Sequence, residues 1–305
     1  MIPQREIAPG VEVAAIGFGG YHLGRIPDER EAIRLLHAAI DAGVTFLDNA
    51  WEYHQHRSEE RMGKALASAG KRDAVFLMDQ VCTHGRGADV ALQQLDESLR
   101  RLGTDRLDLW SVHECIYEDD PARYYAAGGL LEAFAHAKQA GKVRFVGIAG
   151  HKRPAVLREM IERGFPLDTV MMPLNVLDAS YDSFERAVLP LARERGIAPI
   201  GMKAFFDGRR LAPAGVDPDD ALRYAMSLPG VVTTVTGIDS QAVLDHHVRI
   251  ANGFVPLDEA ALNALRGKYR ASAADGKYEL YKVNASHDSD VGLIEHGLPT
   301  TLYPE

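Results

Sequence analysis

The feature that most constrains this chain is a sustained alternation: eight short apolar runs, each followed by a stretch of helical pattern. The runs are Val13–Gly20, Thr45–Ala50, Ala74–Val81, Leu107–Glu114, Val143–Gly150, Thr169–Asn175, Ala198–Phe205 and Val232–Ile238. Their nearly continuous hydrophobicity and β-branched content suit parallel strands buried on both faces. Between them lie amphipathic stretches such as Glu31–Ala42, Asp89–Leu102 and Ser183–Arg195. Leu92, Leu95, Leu99 and Leu102 form one stripe behind Asp89, an acid placed to favour a helix N-terminus. Gly43, Gly103, Gly141, Gly164 and Gly196 each close a helical run, where a left-handed C-cap is expected. Eight strand–helix units in series predict an α/β fold, a (β/α)8 TIM barrel, with residues 1–305 as a single domain.

Two segments lie outside the repeating units. Ile2–Val13, with Pro9-Gly10 at its middle, predicts an N-terminal hairpin closing the barrel floor. After Ala251 a helix is expected over Leu257–Ala271, followed by a polar C-terminal tail, Asp275–Glu305. Such a tail is either a lid over the barrel mouth or a loose end, and Tyr278, Leu280 and Tyr281 give it something to dock with.

With 46% hydrophobic and 25% charged residues, the chain has the composition of a soluble globular protein. A net charge of -9 without a basic stripe argues against nucleic acid. The opening MIPQREIAPG lacks the apolar centre of a signal peptide, and no apolar run approaches a membrane span. Cys82 and Cys115 are the only cysteines, so a reducing, cytoplasmic setting is expected. Nothing in the pattern fixes an oligomeric state.

In a barrel of this kind the site lies at the C-terminal ends of the strands. The second run ends at Asp48 and continues through Trp51-Glu52-Tyr53-His54. The third ends at Asp79-Gln80, and the fourth at His113-Glu114. Asp48, Tyr53, Gln80 and His113 should therefore converge at the mouth.

Here the chain resembles the aldo-keto reductases, over nearly its whole length. The landmarks are GFGG at 17–20, GVTFLDNAWEYHQHRSEERMGKAL at 43–66, DESLRRLGTDRLDLWSVHE at 96–114, GKVRFVGIAGH at 141–151 and MPLNVLDASYDSFE at 172–185. The GHK and MPLN segments resemble most the bacterial branch that carries DNAWxYH after the second strand. The resemblance implies an NAD(P)(H)-dependent oxidoreductase interconverting a small-molecule carbonyl and an alcohol by hydride transfer. It implies that Tyr53 is the general acid, that Asp48 holds a lysine beside it, and that His113 orients the carbonyl. Tyrosine has an ordinary pKa of about 10. It works best when neighbours pull that value toward the operating pH, which is the implied task of the lysine.

Gln80 stands at the lysine's position. An amide donates a hydrogen bond but carries no charge, so Asp48 loses an ion-pair partner and Tyr53 its acidifying neighbour. Three explanations follow: a deliberate substitution for a ligand complex, a natural enzyme that works slowly or with His113 carrying the proton, or a barrel that no longer catalyses.

For the cofactor, NADP(H) with NAD(H) as the alternative, the resemblance implies contacts at Gly19, Gly20, Tyr21 and Asp48, then Ala149, Gly150 and Met171. It adds Gly201, Met202 and Lys203 after the seventh strand, and Gly237, Ile238, Asp239, Val243 and His247 after the eighth. The branch's Thr-Gly and glutamine are replaced here by Ala149-Gly150 and Met171, which leaves backbone groups, His151 or Asn175 to meet the carboxamide. Ser240 is expected to cap a helix facing the diphosphate. No Lys or Arg occurs in 237–243, and Asp239 would repel a 2′-phosphate. The implied substrate pocket is Tyr21, Trp51, Tyr53, His113 and His151.

Plainer roles compete with these. Asp48 and His113 could hold loops, Tyr53 could be a rim aromatic, and Trp51, Phe205 and Phe206 could pack. Cys82 and Cys115 could be small buried hydrophobes. His54 and His56 with Asp48 and Glu114 make a poor ligand set, so no metal is expected. The rival functions are a noncatalytic nucleotide- or partner-binding barrel and a metal-dependent barrel hydrolase.

Overall fold

The computed structural model describes residues 1–68, 70–84, 87–206, 208–285 and 287–295. A two-stranded antiparallel hairpin, β1 (Gln4–Ala8) with β2 (Val11–Ala14), turns at Gly10, whose φ is +72°. Eight parallel strands then close into a barrel: β3 (Ile16–Gly19), β4 (Phe46–Asp48), β5 (Phe76–Val81), β6 (Leu107–Val112), β7 (Val143–Ala149), β8 (Thr169–Pro173), β9 (Ala198–Met202) and β10 (Thr233–Gly237), with β10 paired back to β3. The predicted (β/α)8 barrel and its hairpin are thus both present.

Apolar side chains sort into two layers, as strands covered on both faces require. Phe46, Met78, Leu109, Ala149, Met171 and Ile200 fill the barrel interior, joined at the floor by Ile7 and Val13 of the hairpin. Leu47, Leu77, Trp110, Val146, Ile148 and Val170 point outward against the helices. The helix Ala88–Leu102 buries Leu95, Leu99 and Leu102, with Leu92 half-buried, and ends on Gly103 at φ +65°. The other four expected C-cap glycines also have positive φ. Gly63 lets the helix Arg57–Leu66 lie against this one, because a Cβ there would sit 2.1 Å from the Arg101 carbonyl oxygen.

Two expectations need correction. Ser183–Arg195 is not one helix: it divides into Phe184–Ala187 and Leu189–Glu194, because Pro190 has no N–H to continue the first turn. The strands are also shorter at their C-terminal ends than the apolar runs. Beyond Val112 and Met202 the chain turns away, with Glu114 and Lys203 in the left-handed region at φ +55° and +56°.

The tail is docked as far as it is described. The helix Glu259–Ala273 leads to two short helices, Leu280–Val283 and Asp290–Glu295. Lys282 is buried and pairs with Asp178 at 2.7 Å and Glu279 at 3.1 Å, while Asn175 donates to Glu279 and Tyr281. Residues 296–305 of the expected lid lie outside the described residues. Among the described residues no helix is long and apolar enough to cross a membrane.

Candidate active site

Asp48 closes β4 and is buried. Gly20 makes room for it: a Cβ there would lie 2.6 Å from the Asp48 carbonyl oxygen. Gln80, on the adjacent strand β5, donates Nε2 to Asp48 Oδ1 at 2.8 Å. Burial dominates the Asp48 carboxyl and pushes its pKa up to about 7, against the opposing charge of His113 and the Gln80 hydrogen bond. A neutral amide therefore leaves Asp48 only partly ionised near neutrality.

Tyr53 stands on the loop after β4, with its hydroxyl 3.4 Å from Nε2 of His113. The two rings meet edge to face at 5.4 Å, and Tyr21 meets Tyr53 in the same way at 5.4 Å. Burial, then the charge of Asp48, holds the Tyr53 phenol well above its ordinary pKa. The chain leaves this tyrosine through three consecutive left-handed residues: His54, Gln55 and His56 at φ +53°, +55° and +71°. Non-glycine residues rarely adopt that region, and backbone of this kind is found around sites that over-determine it.

Behind His113 lies a second polar group. Glu52 Oε1 is 2.8 Å from His113 Nδ1, and Glu52 Oε2 is 3.3 Å from His84 Nε2. Ser289, from the C-terminal segment, donates its hydroxyl to Glu52 Oε2 at 2.6 Å and its N–H to Glu114 Oε2 at 2.8 Å. Burial raises the Glu52 carboxyl, but hydrogen bonds from His113 and His84 outweigh it and leave the group below the ordinary carboxylate range. Glu114, buried beside this carboxylate, is pushed up to about 8. Glu52 with Cys82 and His84, and Glu52 with His113 and Glu114, are spaced as metal-ligand sets, although hydrogen bonds already join Glu52 to both imidazoles. His54 and His56 belong to neither set.

The other predicted residues fall on several surfaces. Trp51 donates Nε1 to Glu97 at 2.9 Å, lies under Arg101 and meets the His56 ring edge to face at 4.4 Å. His151 is buried between Asp288, at 3.7 Å, and the Tyr281 ring, and burial lowers its pKa to about 3. Asn175 is fully engaged: its amide donates to the tail and its carbonyl oxygen accepts from Leu177 and Asp178. Ala149 and Met171 face the apolar interior, and Gly150 touches its surroundings through backbone alone, donating to Met171 O.

On the opposite side, Gly19 ends β3, Gly201 and Met202 end β9, and Lys203 lies 5.1 Å over the Tyr281 ring. Ser240 does cap the helix Gln241–Ala251, accepting from Val243 N–H. Ile238 is buried in the outer core, and Gly237 is pressed against His22, where a Cβ would lie 2.2 Å from the ring. His247 stacks on Phe205 at 5.0 Å and meets Thr236 through Nδ1, with burial lowering its pKa to about 3. Glu52 and Ser289 were given no role from sequence; they are 237 residues apart, and no local pattern joins them.

A tyrosine and a buried aspartate at the end of β4, with a histidine after β6 of a closed eight-stranded barrel, accord with the comparisons. The model of the aldo/keto reductase family matches residues 15–212, and the chain belongs to that family of oxidoreductases. Aldo-keto reductase YhdN of Bacillus subtilis is 29% identical over 204 residues, covering 63% of this chain; the match spans little more than half, 58%, of that relative's length. Aldo-keto reductase yakc of Schizosaccharomyces pombe, whose name specifies NADP(+), is 28% identical over 243 residues, 73% of this chain and 68% of its own. The holo form of an aldo-keto reductase from Bacillus halodurans superposes with a TM-score of 0.73 at 25% identity, covering 92% of this chain and all of its own.

Proposed function

We propose that the chain is a nicotinamide-dependent oxidoreductase acting on a carbonyl or alcohol, in which Tyr53 and His113 handle the proton without a lysine. The observation that carries this reading is the 3.4 Å contact between Tyr53 Oη and His113 Nε2, beside the Asp48–Gln80 pair. Tyr53 is protonated at neutral pH and can donate to a carbonyl oxygen. The phenolate then recovers a proton from Nε2 of His113 once solvent has charged that imidazole. Gln80 holds Asp48 but supplies no charge to acidify the phenol, so proton transfer runs more slowly than with a cation in that place.

The residues present fit the cofactor unevenly. The capped N-terminus of Gln241–Ala251, with Lys203 on the loop after the neighbouring strand β9, suits a diphosphate. Ala149 and Met171 offer the nicotinamide ring packing but no side-chain hydrogen bond. When bound, the nicotinamide supplies hydride to the carbonyl carbon or takes it from the alcohol carbon. NADP(H) is favoured by the relative named for it, and Asp239 is the feature that favours NAD(H).

The test is fluorescence titration with NADPH and NADH, then turnover with a panel of aldehydes and ketones. Tyr53→Phe should lower turnover by about 100-fold or more while leaving nucleotide affinity unchanged. Absence of binding by either nucleotide at millimolar levels overturns the reading. Binding without turnover, unrelieved by Gln80→Lys, assigns the chain instead to the noncatalytic nucleotide-binding barrels.

A further inference from the structure

We infer that Glu52 is the positioning residue that turns His113 into the proton acceptor for Tyr53, and that Ser289 of the C-terminal segment holds Glu52 in that posture. The chemical role given to Tyr53 rests on the function proposed above; the arrangement itself rests on geometry. Glu52 is held in its ionised form, and an ionised carboxylate only accepts. Both imidazoles facing it must therefore donate: His113 through Nδ1 at 2.8 Å and His84 through Nε2 at 3.3 Å. With its proton on Nδ1, neutral His113 presents a lone pair at Nε2, and Tyr53 lies 3.4 Å from that atom. The phenol is thus the donor of that contact. Hydroxyl, imidazole and carboxylate stand in line, the logic by which a carboxylate fixes a histidine's tautomer and stabilises its charged form.

The proton balance is closed. In the reducing direction the Tyr53 O–H bond breaks as its proton passes to the substrate oxygen. The phenolate takes a proton from Nε2 of an imidazolium that solvent has charged, and His113 returns to neutral with Nδ1–H kept against Glu52. In the oxidising direction the Tyr53 proton passes first to Nε2, and the phenolate accepts the substrate's hydroxyl proton. The imidazolium–Glu52 pair does in this chain what a neighbouring cation would otherwise do.

Ser289 supplies the second half of the clamp. Its hydroxyl binds Glu52 Oε2 at 2.6 Å, and its N–H binds Glu114 Oε2 at 2.8 Å. It therefore ties the loop after β4 to the end of β6. The titratable groups facing this clamp are His113, His84, Cys82, Glu114, Tyr53, Asp48, Asp288 and Tyr117.

The experiment is nitrogen-15 NMR of the labelled full chain, with the His113 signals assigned by their loss in His113→Asn. In its neutral form His113 should show a protonated Nδ1 and an unprotonated Nε2. In Glu52→Gln the Nε2-protonated tautomer should appear, because a neutral amide oxygen accepts less strongly than a carboxylate. Ser289→Ala should raise that tautomer by less, and Glu52→Asp should suppress part of it. A wild-type ring protonated at Nε2, or a tautomer ratio unmoved in Glu52→Gln, overturns the inference. If the panel above yields a substrate, Glu52→Gln should lower kcat about 10- to 100-fold with KM within about twofold; equal loss in both overturns it. If the chain turns nothing over, the proposed function fails and the NMR outcome still decides the role of Glu52.

Discussion

Gln80 Nε2 lies 2.8 Å from Asp48 Oδ1, so adjacent strands β5 and β4 meet at the mouth through a neutral amide and a carboxyl group rather than an ion pair. A carboxyl group that burial holds near 7 is only half available as an anion, and the phenol beside it gains no acidity.

Gln80→Lys should therefore lower the Asp48 pKa by about 1–3 units. The sign follows from linkage: with a folded pKa of about 7 against 3.8 unfolded, the wild type is favoured below 3.8 and loses stability as pH rises to about 7. The lysine variant should lose less over that window, by about 1.4 kcal/mol per unit of recovered shift. Carboxyl carbon-13 titration with urea denaturation at pH 4 and pH 7.5 reads both. Unchanged slopes would show that Asp48 ionises independently of residue 80.

Asp79 alternates with Gln80 and faces outward, fully buried beside Glu59. Burial and then the Glu59 charge hold its carboxyl well above 3.8, so it too stabilises the fold most in acid. Asp79→Asn keeps the shape and removes the titration. Its unfolding free energy and midpoint should match wild type near pH 4, and the free energy should exceed it at pH 8 by at least about 1 kcal/mol. Equal midpoints at pH 8 would refute the buried-acid account.

Gln55 is exposed, with φ at +55° in the middle of the left-handed run. Glycine adopts that region freely but has more entropy to lose on folding. Gln55→Gly should raise stability by about 0.5–1 kcal/mol in urea denaturation, and any loss would mean that the side chain holds the loop.

Lys282 joins Asp178 and Glu279 in a buried network anchoring the C-terminal segment. Lys282→Met leaves two carboxylates without their cation, at a cost of about 3–5 kcal/mol. Limited proteolysis should then cut in 275–295 before the barrel is lost. A variant as resistant as wild type would show that the aromatic contacts of Tyr281 suffice.

Legibility in the sequence tracked how local each determinant is. The barrel was readable because buried parallel strands write continuous apolar runs, and the C-cap glycines because φ near +70° selects them. The division at Pro190 was overlooked although the residue is in plain sight, because the apolar periodicity carries through it. The convergence of Asp48 with Gln80 and of Tyr53 with His113 was readable because strand order brings strand ends together. Trp51, three residues past Asp48, bonds Glu97 of the outer helix, a contact that spacing alone does not reveal. Glu52 with Ser289 is a tertiary contact between distant segments, and only the fold makes it visible.

The N-terminal hairpin sets the two ends of the barrel apart. With Ile7 and Val13 set into the interior layer, the hairpin seals the floor of the barrel with the chain's own side chains. The opposite face, where Asp48 meets Gln80 and Tyr53 meets His113, is left to loops and the C-terminal segment. The two ends therefore carry different burdens, and a substitution in the hairpin bears on stability while one at the mouth bears on the site.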